Sequence, residues 1–149
     1  MVGRQSGVRR SEWHYEDRPR VLVENADSAI ASATEHLLLA EGFDIATCSG
    51  PSGRRARCPL VTDGECAQAQ EADVILYSLR INDPDCLDVL RTLRLAVPDT
   101  PIVVEIPQPQ IATYAADLAG CHILPFPYTR DSVSAAIGAA LAEADPEEG

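Results

Sequence analysis

Five short apolar runs recur along this chain, each leading into a segment whose character differs from its own. The runs are Val21-Leu22-Val23, Phe43-Asp44-Ile45-Ala46-Thr47, Asp73-Val74-Ile75-Leu76-Tyr77, Ile102-Val103-Val104 and Ile123-Leu124. Unbroken apolar runs, as opposed to an alternation of apolar and polar residues, mark strands buried on both faces. Between them lie stripes at helical spacing. Ile30, Ala33, Leu37 and Leu38 share one face behind a cap at Asp27 or Ser28, and Gly42 stops that helix. Cys86, Val89, Leu90, Leu93 and Val97 fall at offsets 0, 3, 4, 7 and 11, and Pro98 ends the stripe. Ile111, Tyr114, Ala115 and Leu118 predict a fourth helix; Val133, Ala136, Ile137, Ala140 and Leu141 predict the last. This alternation specifies an α/β fold: a three-layer, doubly wound, five-stranded parallel sheet of (βα)5 type. One compact core is expected from 149 residues. Residues 1–18 read as a flexible Arg-containing arm, 19–143 as the folded domain and 144–149 as an acidic tail.

The cations add a chemical constraint. All twelve are arginine, and there is no lysine. A phosphate-binding Walker loop, a Schiff-base enzyme and a Ser–Lys nucleophile pair each require lysine, so all three are excluded. Charge is also unevenly placed. Residues 1–20 hold five Arg against Glu12, Glu16 and Asp17, a net of +2; the remainder, seven Arg against twenty acids, carries −13. A domain of that sign repels phosphate backbones, so no nucleic acid is expected on the core. No run approaches a membrane span, and the arm lacks the apolar stretch of a secretory signal, which points to the cytoplasm.

Sheets of this kind carry their functional residues on the loops at the carboxyl ends of the strands. The order of elements, Arg20-Val21-Leu22-Val23-Glu24-Asn25, Asp73-Val74-Ile75-Leu76-Tyr77-Ser78-Leu79, Pro101-Ile102-Val103-Val104 and Pro125-Phe126-Pro127-Tyr128-Thr129 together resemble the receiver domain of bacterial response regulators. The resemblance, to the CheY-like superfamily with its flavodoxin-like topology, spans about residues 19–143. It implies a phosphoacceptor aspartate at the end of the third strand. It also implies an acidic pair after the first strand that holds Mg²⁺, a Thr or Ser after the fourth, and a Lys after the fifth.

Here the matching positions depart from that pattern. The acceptor position is Ser78, a neutral hydroxyl. Counting along the first strand puts Glu24 and Asn25 at the acidic pair, whereas counting back from Gly42 puts Asn25 and Ala26 there. Either register leaves at most one carboxylate, and the Mg²⁺ site is predicted lost. The hydroxyl position falls on Ile106 and the lysine position on Phe126. Ser78 also has no evident imidazole base: His14 lies in the arm, His36 in the first helix and His122 at the far end of a strand. Glu105 reads either as the polar, solvent-facing end of its strand or as a partner of Asn25 and Ser78 in the vacated pocket.

Cysteine supplies the remaining chemistry. Five cysteines, an odd number, suit a reducing compartment. Cys86 fits a buried helix stripe. Cys48, Cys58 and Cys66, spaced C-x9-C-x7-C, gather near the long loop expected over residues 49–66. They could hold zinc or form a reversible disulfide, but no interval is the tight C-x2-C of standard zinc sites, so no metal is expected.

The sequence thus predicts a degenerate receiver that is not an enzyme and takes no cofactor. It is expected to work, independently of phosphorylation, as a protein–protein interaction module in signal transduction. Tyr114, Phe126, Tyr128 and Arg130 are its candidate interface toward a protein partner or a second copy. A thiol- or metal-responsive sensor built on Cys48, Cys58 and Cys66 is the alternative. A small flavodoxin-like enzyme ranks below both, because Glu24-Asn25-Ala26-Asp27 lacks the Gly and hydroxyl donors that cradle a phosphate.

Overall fold

A computed structural model of the chain describes residues 13–50 and 66–144. Five strands, β1 (Arg20–Glu24), β2 (Asp44–Cys48), β3 (Val74–Tyr77), β4 (Ile102–Pro107) and β5 (His122–Phe126), pair in parallel in the order β2-β1-β3-β4-β5. The helices are α1 (Ser28–Ala40), α2 (Ala67–Glu71), α3 (Pro84–Ala96), α4 (Ala115–Leu118) and α5 (Arg130–Ala144). The expected α/β sheet of five parallel strands with helices is therefore the observed one.

Because successive side chains of a strand point to opposite faces, the sheet feeds two cores. Leu22, Ala46, Ile75, Tyr77, Ile102, Val104 and Ile106 pack on one side with Ala69 of α2, Cys86, Val89, Leu90 and Leu93 of α3, and Leu118 of α4. Val21, Val23, Ile45, Val74, Leu76, Val103 and Leu124 pack on the other, against Leu38 of α1 and Val133, Ile137 and Ala140 of α5. Helix starts follow their caps. The Asp27 carboxylate accepts from the Ala29 and Ile30 amides at 3.0 and 3.1 Å, and Asp83 accepts from the Asp85 amide at 2.9 Å.

Two parts of the sequence reading change. The helix predicted across Ile111–Leu118 shrinks to α4, a single turn preceded by a 3₁₀ turn at Gln108–Gln110. Pro107 and Pro109 remove backbone donors just where a longer helix would start. Tyr114, expected within the helix, sits at its amino-terminal boundary. The segment is held instead by Arg94 of α3, whose guanidinium donates to the carbonyls of Asp117 and Ala119, and by the Arg91–Asp117 ion pair at 2.7 Å.

The second change concerns the arm. Trp13 packs on the first core and donates to Glu71 at 2.9 Å, with the Arg20 guanidinium over its ring. The wholly buried Asp44 carboxylate receives the His14 amide at 2.8 Å and the Tyr15 amide at 3.0 Å. A boundary after residue 18 therefore falls inside a stretch that is tied to the amino edge of the sheet. Of the long loop expected over residues 49–66, positions 51–65 lie outside the described residues, and Cys58 with them; Cys66 leads into α2, a short helix that the apolar pattern does not announce.

Candidate functional site at the carboxyl edge of the sheet

The strand register lines up the ends of the central strands. Glu24 pairs with Tyr77, which places Asn25 beside Ser78, and Tyr77 pairs with Val104, which places Ser78 beside Glu105. The ladder continues into this row: the Ser78 amide donates to the Glu24 carbonyl at 2.8 Å, and the Asn25 amide to the Cys48 carbonyl at 2.9 Å. Asn25, Ser78 and Glu105 follow the parity of Val23, Leu76 and Val103 and so belong to the α1/α5 side. Glu24 follows Leu22 and belongs to the opposite side, with Cys48 and Tyr77. Candidates adjacent in sequence thus serve different faces of the sheet.

On the α1/α5 side the Asn25 side chain is engaged in the turn into α1, accepting from the Asp27 amide at 2.9 Å. Ala26 is exposed in that turn. Glu105 is half-buried beside Ser78, and its carboxylate accepts a hydrogen bond from the Tyr128 hydroxyl at 3.2 Å. Burial pushes its carboxyl above the ordinary range, and the Ser78 and Tyr128 hydroxyls pull the other way. The Tyr128 hydroxyl is pushed up to about 12, first by burial and then by the Glu105 charge, while Thr34 of α1 pulls the other way. Of the two readings of Glu105 from sequence, neither is met in full: the carboxylate is half-buried beside Ser78, but the Asn25 side chain is committed to its own turn. Tyr128 and Thr34 adjoin Glu105 on this side. Neither was placed there by the sequence reading, which set the buried face of α1 at Ile30, Ala33, Leu37 and Leu38, whereas the structure buries Ala31, Thr34 and Leu38.

On the other side, Glu24 retains only 3% of its surface. Cys48 is its register partner on the same face, and burial raises the Glu24 pKa to about 7, with the Cys48 thiol pulling the other way. Its Oε1 has no hydrogen-bond partner among the described residues. The Tyr77 hydroxyl, close by, donates to the Cys86 carbonyl at 2.6 Å, and burial pushes it far above its ordinary value. Ile106 is completely enclosed in this core.

Around the rim, Phe126 is half exposed and meets the Tyr128 ring edge-on at 6.1 Å; the Phe126–Pro127 peptide is cis. Tyr114 is half-buried against the first core, and Arg130 is exposed at the start of α5. The candidate interface therefore presents Phe126 and Arg130 to solvent, while the tyrosines are mostly occupied by packing. His36 is exposed on α1, and His122 pairs with Glu143 at the amino end of β5, 3.3 Å apart. Cys48 and Cys66 are half-buried against the same core. Among the described residues, no three His, Cys, Asp or Glu side chains converge as a metal site.

The fold and the placement of these strand-end residues define a class. The chain has the fold of CheY-like receiver domains. A response-regulator receiver domain from Clostridium thermocellum superposes with a TM-score of 0.67 over 87% of this chain and 98% of its own, at 19% identity. The chemotaxis protein CheY4 of Vibrio cholerae gives 0.63 over 83% and 98%, at 16% identity. In sequence, the chain is 32% identical over 125 residues to the cell cycle transcriptional regulator CtrA of Caulobacter vibrioides, and 35% identical over 86 residues to the cell cycle response regulator CtrA of Brucella ovis. These alignments cover 82% and 57% of this chain but 50% and 33% of the relatives, so the chain spans about half the length of the first and a third of the second. No family model matches the chain.

Proposed function

We propose that this receiver domain works without aspartyl phosphate, as a protein–protein interaction module in bacterial signal transduction. One observation carries the reading: the acceptor position holds Ser78, a hydroxyl, and the strand register sets the Glu105 carboxylate beside it. An acyl phosphate needs a carboxylate nucleophile, a divalent cation and donors to the phosphoryl oxygens. The nucleophile is replaced by a hydroxyl. The place where phosphoryl oxygens would lie is approached by the chain's own anion, with Tyr128 as its donor.

The donor set does not suit Mg²⁺ either, which demands near-octahedral oxygen coordination. Asn25 is committed to a turn, Glu24 is enclosed on the opposite face beside a thiol, and Glu105 is engaged by the Tyr128 hydroxyl. Ile106 and Phe126 offer no hydroxyl or ammonium to a phosphoryl group, and no lysine exists to substitute. The domain then acts in the cytoplasm by docking, not by catalysis, with the exposed Phe126 and Arg130 contributing to contact with a protein partner or a second copy. No described helix is long and apolar enough to cross a membrane.

The test is intact mass after incubation with a small acyl-phosphate donor and Mg²⁺. No hydroxylamine-labile addition is the expected result. A labile phosphoryl group on Glu24, Asp27 or Glu105 would overturn the proposal, as would stoichiometric phosphorylation of Ser78.

A further inference from the structure

We propose that the outer face of α1 and α5 is a dimerisation surface, and that its occupant is a second copy of this chain. Both helices cover the same side of the sheet. The Ser134 hydroxyl of α5 donates to the Glu41 carboxylate at the end of α1 at 3.4 Å, so the two lie side by side. Neither turns charge outward along its length. From Ser132 to Ala142, α5 has no charged residue, and its exposed positions include Ala135, Gly138, Ala139 and Ala142. The one carboxylate within α1 is the half-buried Glu35, and the solvent face of that helix carries Ala33 and Ile30, the latter 49% exposed. On the opposite side of the sheet, α3 shows Asp85, Asp88 and Arg91 to water, as surface helices ordinarily do.

Gly138 is an independent observation. A glycine inside a helix costs stability relative to alanine, yet a Cβ at this position would meet no described atom within 4 Å. The packing of the described fold therefore does not require the missing side chain. What its absence allows is the close approach of another backbone from outside. Flanked by Ala135, Ala139 and Ala142, it makes a flat strip on which a second helix can cross.

Charge selects the occupant. The chain carries a net charge of −11, so two copies can meet only where those charges are absent. A partner held by charge would need acidic residues to grip, and this face has none along α5. A two-fold axis at Gly138 runs the two α5 helices antiparallel. The Arg130 end of each then lies toward the Glu143 end of the other, and positive helix amino termini meet negative carboxyl termini. Of the acids at the amino-terminal ends, Asp27 is engaged by the amides of its own helix and Asp131 lies in the first turn of α5. The inference goes beyond the docking role proposed above and stands whether or not Ser78 accepts phosphate.

The experiment measures sedimentation of the full chain over about a hundredfold range of concentration, where a monomer–dimer equilibrium with no larger species is expected. Ala139→Arg sets two cations against each other near the axis and should weaken the dimer about a hundredfold. Gly138→Ala gives a result that a merely structural glycine would not. It should raise the melting temperature of the monomer, because alanine is the better helix former, yet weaken the dimer about tenfold by holding the helices apart. Leu95→Arg, on α3 at a side chain 83% exposed, should leave the dimer intact. A chain that stays monomeric over the whole range overturns the proposal, and that result needs no variant to fold. A dimer unchanged in folded Ala139→Arg and Gly138→Ala proteins, or one that Leu95→Arg breaks, overturns it as well.

Discussion

Replacing Glu24 by Gln should change the pH dependence of stability in a direction opposite to that of an ordinary carboxylate. The carboxyl is raised from 4.5 to about 7 in the folded protein because burial disfavours its charge, and the Cys48 thiol offsets only part of that. Between those two values the folded state holds a proton that the unfolded state has released, so stability falls as pH rises. The contribution is fully present below pH 4.5, declines up to about pH 7 and is constant above it. Each decade of proton affinity corresponds to about 1.4 kcal/mol, so the full loss is about 3 kcal/mol. With 3% of its surface exposed, Glu24 has little solvent screening to reduce that figure. Glutamine has the same shape and does not titrate. Urea unfolding of both proteins between pH 4.5 and 8 gives the stability difference at each pH, and every other titrating group cancels in it. The variant should gain about 3 kcal/mol on the natural protein across that range. A difference that stays flat would mean that Glu24 is solvated or charge-paired, and the reasoning about its burial would fail.

Removing the Tyr128 hydroxyl with Tyr128→Phe keeps the ring against Phe126 but takes a donor from Glu105. Urea unfolding should show a loss of about 1 kcal/mol, and no loss would mean that this bond is absent in solution. Asp44→Asn removes a buried anion that receives the His14 and Tyr15 amides, at a cost of about 2 kcal/mol. Those two amides should also exchange hydrogen faster by NMR, which locates the effect. Gly50→Ala forces a side chain into φ +72° and sets its Cβ 2.9 Å from both Leu79 methyl groups, so about 2 kcal/mol of destabilisation is expected by thermal or urea melting. A neutral result there would contradict the turn geometry that brings the Gly50 amide onto Cys48.

The strands were legible because a parallel strand covered on both faces needs nothing but apolar residues, and a run such as Val74–Tyr77 admits few other readings. Helices α3 and α5 were legible for a similar reason, since their buried residues repeat at the spacing of one helical face; α1 was legible as a helix, but its predicted face was not the buried one, for Ile30 and Ala33 are exposed while Ala31, Thr34 and Leu38 are enclosed. The fourth helix was overread. Ile111, Tyr114 and Leu118 do pack on the core, but the two prolines upstream limit how the backbone reaches them. The stripe recorded burial correctly and backbone conformation wrongly. Trp13 could not be placed from sequence, because its partner Glu71 is 58 residues away and the contact exists only once β1 and β3 are paired.

The strand-end residues divide along the same line. Chain order alone determined that a serine follows the third strand, that isoleucine and phenylalanine follow the pattern of the fourth and fifth, and that no lysine is available. Those are statements about which functional groups exist, and composition decides them. Sequence left open whether Glu24 and Asn25, or Asn25 and Ala26, belong at the acidic pair, and whether Glu105 meets solvent or Ser78. Register separates Glu24 from Asn25 and places Glu105 beside Ser78. One residue along a strand is half a pleat, so Glu24 turns into one core beside Cys48 while Asn25 lies next to Ser78 on the other face. Two carboxylates that look equivalent in the sequence therefore have different surroundings, one beside a thiol and the other beside the Ser78 and Tyr128 hydroxyls, because only strand pairing fixes which face each of them meets.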